Sequence, residues 1–263
     1  MLPTLFLSHG APTLPLTDAP ARSFLETLSG QLPERPRAIL VMSAHWETEA
    51  AGLTARAQNH TLHDFHGFPE KLYTIRYDAP GSAWLVDRVA ALIEGRGGDV
   101  ARDPDRALDH GAWVPLSLIY PDADIPVVQI SVQTALGPLH HYELGRLLAP
   151  LRAEGVLIIG SGSFTHDLSG FREHYHAVHA PAPGWVDSFA DWMTQAIRDG
   201  RLDDLLLYRT LAPNAVRNHP TEEHLLPLFL ALGAGEGGQS SQLHQSTTHG
   251  VLRMDAFAFG GAA

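Results

Sequence analysis

Residues 39–46, ILVMSAHW, decide how the rest of the chain is read. Ile39–Met42 is apolar at every position, the pattern of a strand covered on both faces rather than one with a solvated side. The run then ends in two small residues and a histidine. A single histidine at such a place is ordinarily a core residue with its hydrogen bond satisfied, but the construction recurs. Thr4–Leu7 runs into Ser8-His9-Gly10, and Val156–Ile159 runs through a Gly/Ser turn, Gly160–Ser163, to His166. In open α/β sheets the carboxyl ends of parallel strands border the crevice where ligands bind. Three histidines at three such ends are therefore placed to converge, and small neighbours leave room for a ligand.

Working outward, Ile125–Val132 is a fourth apolar run, and Val251–Phe259 a short final strand. Between the runs lie segments with apolar residues at three- and four-residue steps: Ser82–Glu94, Leu139–Glu154, Trp185–Arg198 and Glu222–Leu232. Strands alternating with helices predict a single α/β domain over residues 1–263. The polar, Gly- and Pro-broken stretches 55–81 and 174–184 read as long loops, which in compact domains are usually functional or disordered. The Gly/Ser/Gln patch Gly233–Gln242 reads as a surface loop.

Composition removes several function classes. A net charge of −11 with 18 Lys and Arg and no basic cluster argues against nucleic acid and anionic membranes as partners. The absence of cysteine excludes disulfides, thiolate metal ligands, iron–sulfur clusters and a cysteine nucleophile. The short apolar N-terminal run lacks preceding basic residues, so a cytoplasmic protein is expected. Gly160–Thr165, GSGSFT, lacks the third glycine of a dinucleotide fingerprint, and the chain holds no Gly-x-Ser-x-Gly elbow or phosphate loop. What remains prominent is 16 histidines, the usual neutral metal ligand and proton carrier near pH 7.

Two more positions join the three. His110 stands in Leu108-Asp-His-Gly-Ala-Trp113, where Gly111 permits a tight turn, and His224 ends Thr221-Glu-Glu-His. Thr221 after Pro220 reads as an N-cap, and Glu222 and Glu223 as an acidic first turn favoured by the helix dipole. His224 would lie one turn into that helix. His60, His63, His66, His140, His141, His174, His176 and His179 read mostly as solvated.

The motifs LFLSHGAPT (5–13), SAHWET (43–48), HDFHGFPEKLYTIRYDAPG (63–81), LDHGAWVPLSLIYPDADIPVVQIS (108–131), GSGSFTHDL (160–168) and PTEEHLLPL (220–228) occur in this order along nearly the whole chain. In them the sequence resembles the class III extradiol ring-cleavage dioxygenases, in the branch similar to DOPA 4,5-dioxygenase. The resemblance implies a three-layer α/β/α domain with a mostly parallel, mixed central sheet, and one divalent non-haem metal held by His9, His45 and His224, with Glu222 as the reserve ligand. It also implies acid–base roles for His110 and His166; His166 is the alternative fourth ligand. Fe(II) would serve activity, Zn(II) being an alternative occupant of the protein as isolated. The partners would be a small aromatic diol and O2.

Such chemistry explains the parts. A catechol must shed protons to chelate a metal, which needs a neutral histidine beside it, and O2 needs an open coordination position. The competing reading is a zinc hydrolase on the same histidines, and a more distant one is a scaffold that keeps the pocket without cleavage. The loop Glu173–Trp185 is expected to border the pocket. Substrates in range are DOPA, caffeate and protocatechuate.

Overall fold

Leu40 and Met42 pack into one apolar cluster while Ile39 and Val41 pack into another, so the two faces of a single strand feed two cores. That alternation fixes a three-layer arrangement. A computed structural model describes residues 1–261. In chain order its strands are β1 (Thr4–Ser8), β2 (Ala38–Glu47), β3 (Ala51–Thr54), β4 (Val100–Asp103), β5 (Val127–Val132), β6 (Val156–Gly162), β7 (Gln239–His244), the short pair β8 (Thr247–Thr248) and β9 (Leu252–Arg253), and β10 (Ala256–Gly261). Among the described residues the main sheet has the order β4-β3-β5-β2-β6-β1-β10-β7. Its middle, β5-β2-β6-β1, is parallel. β3 runs antiparallel to β5, and β10 and β7 close the other side as an antiparallel pair. The sheet is therefore mixed and parallel at its centre, as expected.

One face is covered by α2 (Ala83–Glu94), α4 (Gly137–Leu148), α6 (Gly184–Arg198) and α10 (Leu226–Ala234). The other carries α1 (Pro20–Leu28) and α3 (His110–Ile119), with Leu25, Leu28, Trp113 and Val114 against Leu5, Val41 and Ile159. Shorter helices are α5 (Leu168–Glu173), α7 (Leu202–Leu206), α8 (Tyr208–Leu211) and α9 (Ala215–Asn218). α2 begins where the Ser82 hydroxyl accepts the Leu85 N–H, a side-chain N-cap. α4 and α10 meet through glycines: a Cβ on Gly145 would stand 2.2 Å from the Leu230 oxygen, and one on Gly233 2.0 Å from that of Tyr142. Truncating a fully buried core residue such as Leu40 would cost about 2–5 kcal/mol. No helix among the described residues is long and apolar enough to cross a membrane.

Several boundaries differ from the sequence reading. The helix expected over 139–154 stops at Leu148, where Pro150 favours a 3-10 continuation, Ala149–Glu154. The expected final strand is split into β9 and β10. The patch read as a loop contains the edge strand β7, whose residues Gln239–Ser241 are exposed and polar because an edge strand has one side in water. β6 continues through Gly162, so the expected Gly/Ser turn is strand for most of its length.

Candidate active site

β6 lies between β1 and β2. For His9, just after β1, and His45, near the end of β2, to meet above it, β6 must end in residues with little bulk. Its last residues, Gly160-Ser161-Gly162, meet that need. A Cβ on Gly160 would lie 2.0 Å from the Pro227 oxygen, and one on Gly162 2.1 Å from the His224 oxygen. The bare strand thus lets the segment entering α10 run directly against the sheet. The Ser163 N–H donates to the His224 oxygen at 2.8 Å, and the His9 N–H to the Gly162 oxygen at 2.9 Å.

Three imidazoles converge as a result. His9 Nε2 and His45 Nε2 are 3.0 Å apart, and His224 Nε2 and His45 Nε2 3.3 Å. Nitrogens ~2.05 Å from a shared metal would be separated by ~2.9 Å at a right angle and ~3.4 Å at a tetrahedral one. The far nitrogens fix the tautomers. Ser161 gives its hydroxyl proton to the Gly111 oxygen, so it accepts from His9 Nδ1 at 3.1 Å. Glu223 accepts from His224 Nδ1 at 2.8 Å. Both rings therefore aim an Nε2 lone pair at the common point, the arrangement in which a carboxylate or hydroxyl orients a ligating histidine. Burial foremost, and the neighbouring histidines after it, hold His9 and His224 well below the ordinary histidine range. Burial and then His110 bring His45 to about 3. Neutral rings are what a divalent metal requires, and the three nitrogens fit one.

Two histidines flank this point. His110 opens α3, capped by the Asp109 carboxylate, and its ring stands 3.8 Å from that of His45 between centroids. Its Nδ1 donates to Asp64 Oδ2 at 2.9 Å, and its backbone N–H to Asp64 Oδ1 at 3.0 Å. Burial, the largest influence on Asp64, pushes its pKa up, but the bonds and charge of His110 outweigh it and hold the carboxyl at about 2. His166 stacks on His224, with centroids 3.5 Å apart and planes at 12°. Burial, then His45 and His110, lower it to about 3, so it is neutral and able to accept a proton. A cavity of about 350 Å³ opens on these rings, with an outer wall of Ala11, Pro12, Phe68, Leu168, Phe171 and Leu252. That volume suits a small aromatic ligand.

Residues 3–254 match the family described as the catalytic LigB subunit of aromatic ring-opening dioxygenase. The chain belongs to the LigB family. It is 45% identical over 260 residues to a Beta vulgaris protein named 4,5-DOPA dioxygenase extradiol, covering 97% of this chain and 96% of that one. It is 39% identical to the Escherichia coli K12 protein of the same name, over 90% and 86% of the two chains. A crystal structure of an uncharacterized E. coli K12 protein superposes with a TM-score of 0.79 at 33% identity, covering 99% of this chain and 100% of the other. This LigB member is an extradiol, aromatic ring-opening dioxygenase of the non-haem, metal-dependent kind. The zinc hydrolase reading finds no support.

The LigB site gathers all the sequence-singled histidines, His9, His45, His110, His166 and His224, around one cavity. Other expectations are corrected. His224 precedes α10, whose first turn carries Pro227, so Thr221 is not its N-cap. Glu222 accepts from the Tyr208 hydroxyl at 3.0 Å, while Glu223 is the acid that reaches His224. Ser43 does more than leave space: it donates to Asp109 Oδ1 at 2.6 Å and accepts the His45 N–H. Gly111 is helical, and its missing side chain matters because a Cβ would meet Ser43 Oγ and lie 3.1 Å from His45 Cδ2. His141 is fully buried rather than solvated, donating from Nδ1 to the Gly137 oxygen at 2.7 Å. The loop Glu173–Trp185 does not line the cavity; its Tyr175 packs behind Phe68 and Phe171.

Sequence reasoning missed Asp64, Glu223 and Arg106. The Arg106 guanidinium ties the Asp109 carboxylate at 2.8 Å to the His45 carbonyl at 3.2 Å. The signal for Asp64 was its place inside HTLHDFHGF, where the histidines drew attention instead.

Proposed function

We propose that His9, His45 and His224 hold one divalent metal, Fe(II) in the active enzyme, and that His110 and His166 move protons while a small catechol is opened. Zn(II) would fit the same nitrogens without supporting turnover, since its full d shell relays no electrons. The supporting observation is the convergence of Nε2 atoms 3.0 and 3.3 Å apart, two of them with lone pairs fixed by partners behind the ring. When bound, ferrous iron would supply Lewis acidity for the diol and an electron relay to O2. The chain supplies the rest. The apolar wall takes the ring and excludes water, His110 and the neutral His166 accept the diol protons, and a protonated imidazole returns one as the ring opens.

Residues 1–263 are read as one catalytic domain, working in the reducing cytoplasm. Relatives named for DOPA make that catechol a candidate substrate; caffeate and protocatechuate remain beside it. With a net charge of −11, the reading includes no nucleic-acid or membrane partner. An oxygen-uptake screen of the Fe(II)-reconstituted enzyme over a catechol panel tests the proposal. A yellow ring-opened product with O2 consumed is expected, whereas hydrolysis of an ester or phosphate without O2 uptake would overturn it.

A further inference from the structure

Asp64 belongs to the loop that also supplies Phe68 to the cavity wall, and the chain just before it is fastened to α3 and the residues leading into it. The Leu62 N–H donates to the Leu108 oxygen at 2.8 Å, the Leu108 N–H to the His60 oxygen at 3.0 Å, and Trp113 Nε1 to the Leu62 oxygen at 2.9 Å. Phe65 stands perpendicular to the His110 ring, with centroids 5.6 Å apart and planes at 84°. The backbone at Asp64 is open to solvent, but its side chain is 17% exposed and turns inward onto His110. One carboxylate oxygen takes the backbone N–H at the start of α3 and the other takes the ring Nδ1–H, so the loop holds both the helix end and the imidazole.

We propose that Asp64 is the positioning residue of His110: by accepting Nδ1–H it keeps the Nε2 lone pair facing the cavity as the proton acceptor for the diol. The inference rests on the acid–base role proposed for His110. In the step concerned, a catechol O–H bond breaks, an N–H bond forms at His110 Nε2, and the electron pair stays on the catechol oxygen. The imidazolium that results faces an ionised carboxylate, which stabilises it without accepting its proton. A carboxylate orienting a catalytic imidazole is a recurrent solution to the tautomer problem, because the two ring nitrogens compete for one proton.

Asp64→Asn separates this role from a merely structural one. Its amide oxygen still caps the His110 backbone N–H, but its NH2 faces Nδ1 and forces the proton onto Nε2. Nitrogen NMR of labelled imidazoles in the Zn(II)-filled protein, with His110 assigned by comparison with His110→Ala, should show the Nδ1–H form in wild type and the Nε2–H form in Asp64→Asn. In the Fe(II) enzyme, Asp64→Asn should keep its metal and melting temperature and lose turnover by about 100-fold or more. It should cause no further loss in a His110→Ala background, whereas a structural role would reduce both backgrounds alike. Nε2–H in wild type, unchanged turnover in Asp64→Asn, or additive losses would each overturn the proposal. Absence of O2 uptake by wild type with every catechol would instead sink the proposed function, and the NMR comparison would still decide the role of Asp64.

Discussion

His9, His45 and His224 each commit one nitrogen to a shared point, so replacing any of them by Ala leaves two imidazoles that cannot enclose a metal on one side. Elemental analysis after dialysis should find high-affinity metal lost in all three variants; retention in one removes that residue from the ligand set. His166 is expected to behave differently, its ring being stacked flat on His224 at 3.5 Å. His166→Phe keeps the stacking surface, so metal should remain while O2 uptake falls about 100-fold to 10,000-fold, the range for losing one general acid or base. Loss of metal in that variant would make His166 a fourth ligand. His9, His45 and His166 were legible because each follows small residues at or near a strand end, whereas His224 was reached through the motif PTEEHLLPL. Asp64 and Glu223 were not, since each acts through another side chain and leaves no spacing signal in the sequence.

At the level of elements, the site depends on how closely the segment entering α10 approaches β6. Gly162→Ala would place a methyl 2.1 Å from the His224 oxygen. The backbone must shift, at a cost of about 1–3 kcal/mol for overpacking, and His224 moves with it. A lower melting temperature together with weaker metal retention is expected by calorimetry and metal analysis. Gly184→Ala, where a Cβ meets nothing within 4 Å, serves as control. Equal behaviour of the two variants would contradict the packing argument. The main parallel strands were readable from unbroken apolar runs, and α2 and α6 from their periodicity. β3 and β4, at four residues each, are too short to show a period, and β7 is too polar. The start of α10 was misplaced because Thr221 imitates an N-cap, while Pro227 marks the first turn that forms.

Across the whole molecule, neutral buried histidines tie stability to pH. His141 is fully buried, and burial foremost lowers it from 6.5 to about 4. Its Nδ1 donates to the Gly137 oxygen and its Nε2 accepts the Gln133 N–H, so protonation would break the second bond. Below pH 6.5 the unfolded chain takes up a proton that the folded one refuses until about pH 4, so stability falls as pH drops through that window. Each such group removes about 1.4 kcal/mol per pH unit. Urea unfolding of the metal-free protein should become less favourable to the folded state from pH 6.5 to 4, with a shallower slope in His141→Gln; an identical slope would contradict the assignment. The same folding brings residues 9, 45, 110, 166 and 224 to one cavity between a parallel sheet edge and an apolar wall, the assembly proposed to open catechols through iron. The most direct test is O2 consumption by two samples of one preparation, one filled with Fe(II) and one with Zn(II) and verified iron-free, each given the same catechol. One O2 should be consumed per catechol opened by the iron form and none by the zinc form; equal uptake by both would contradict ring opening through iron.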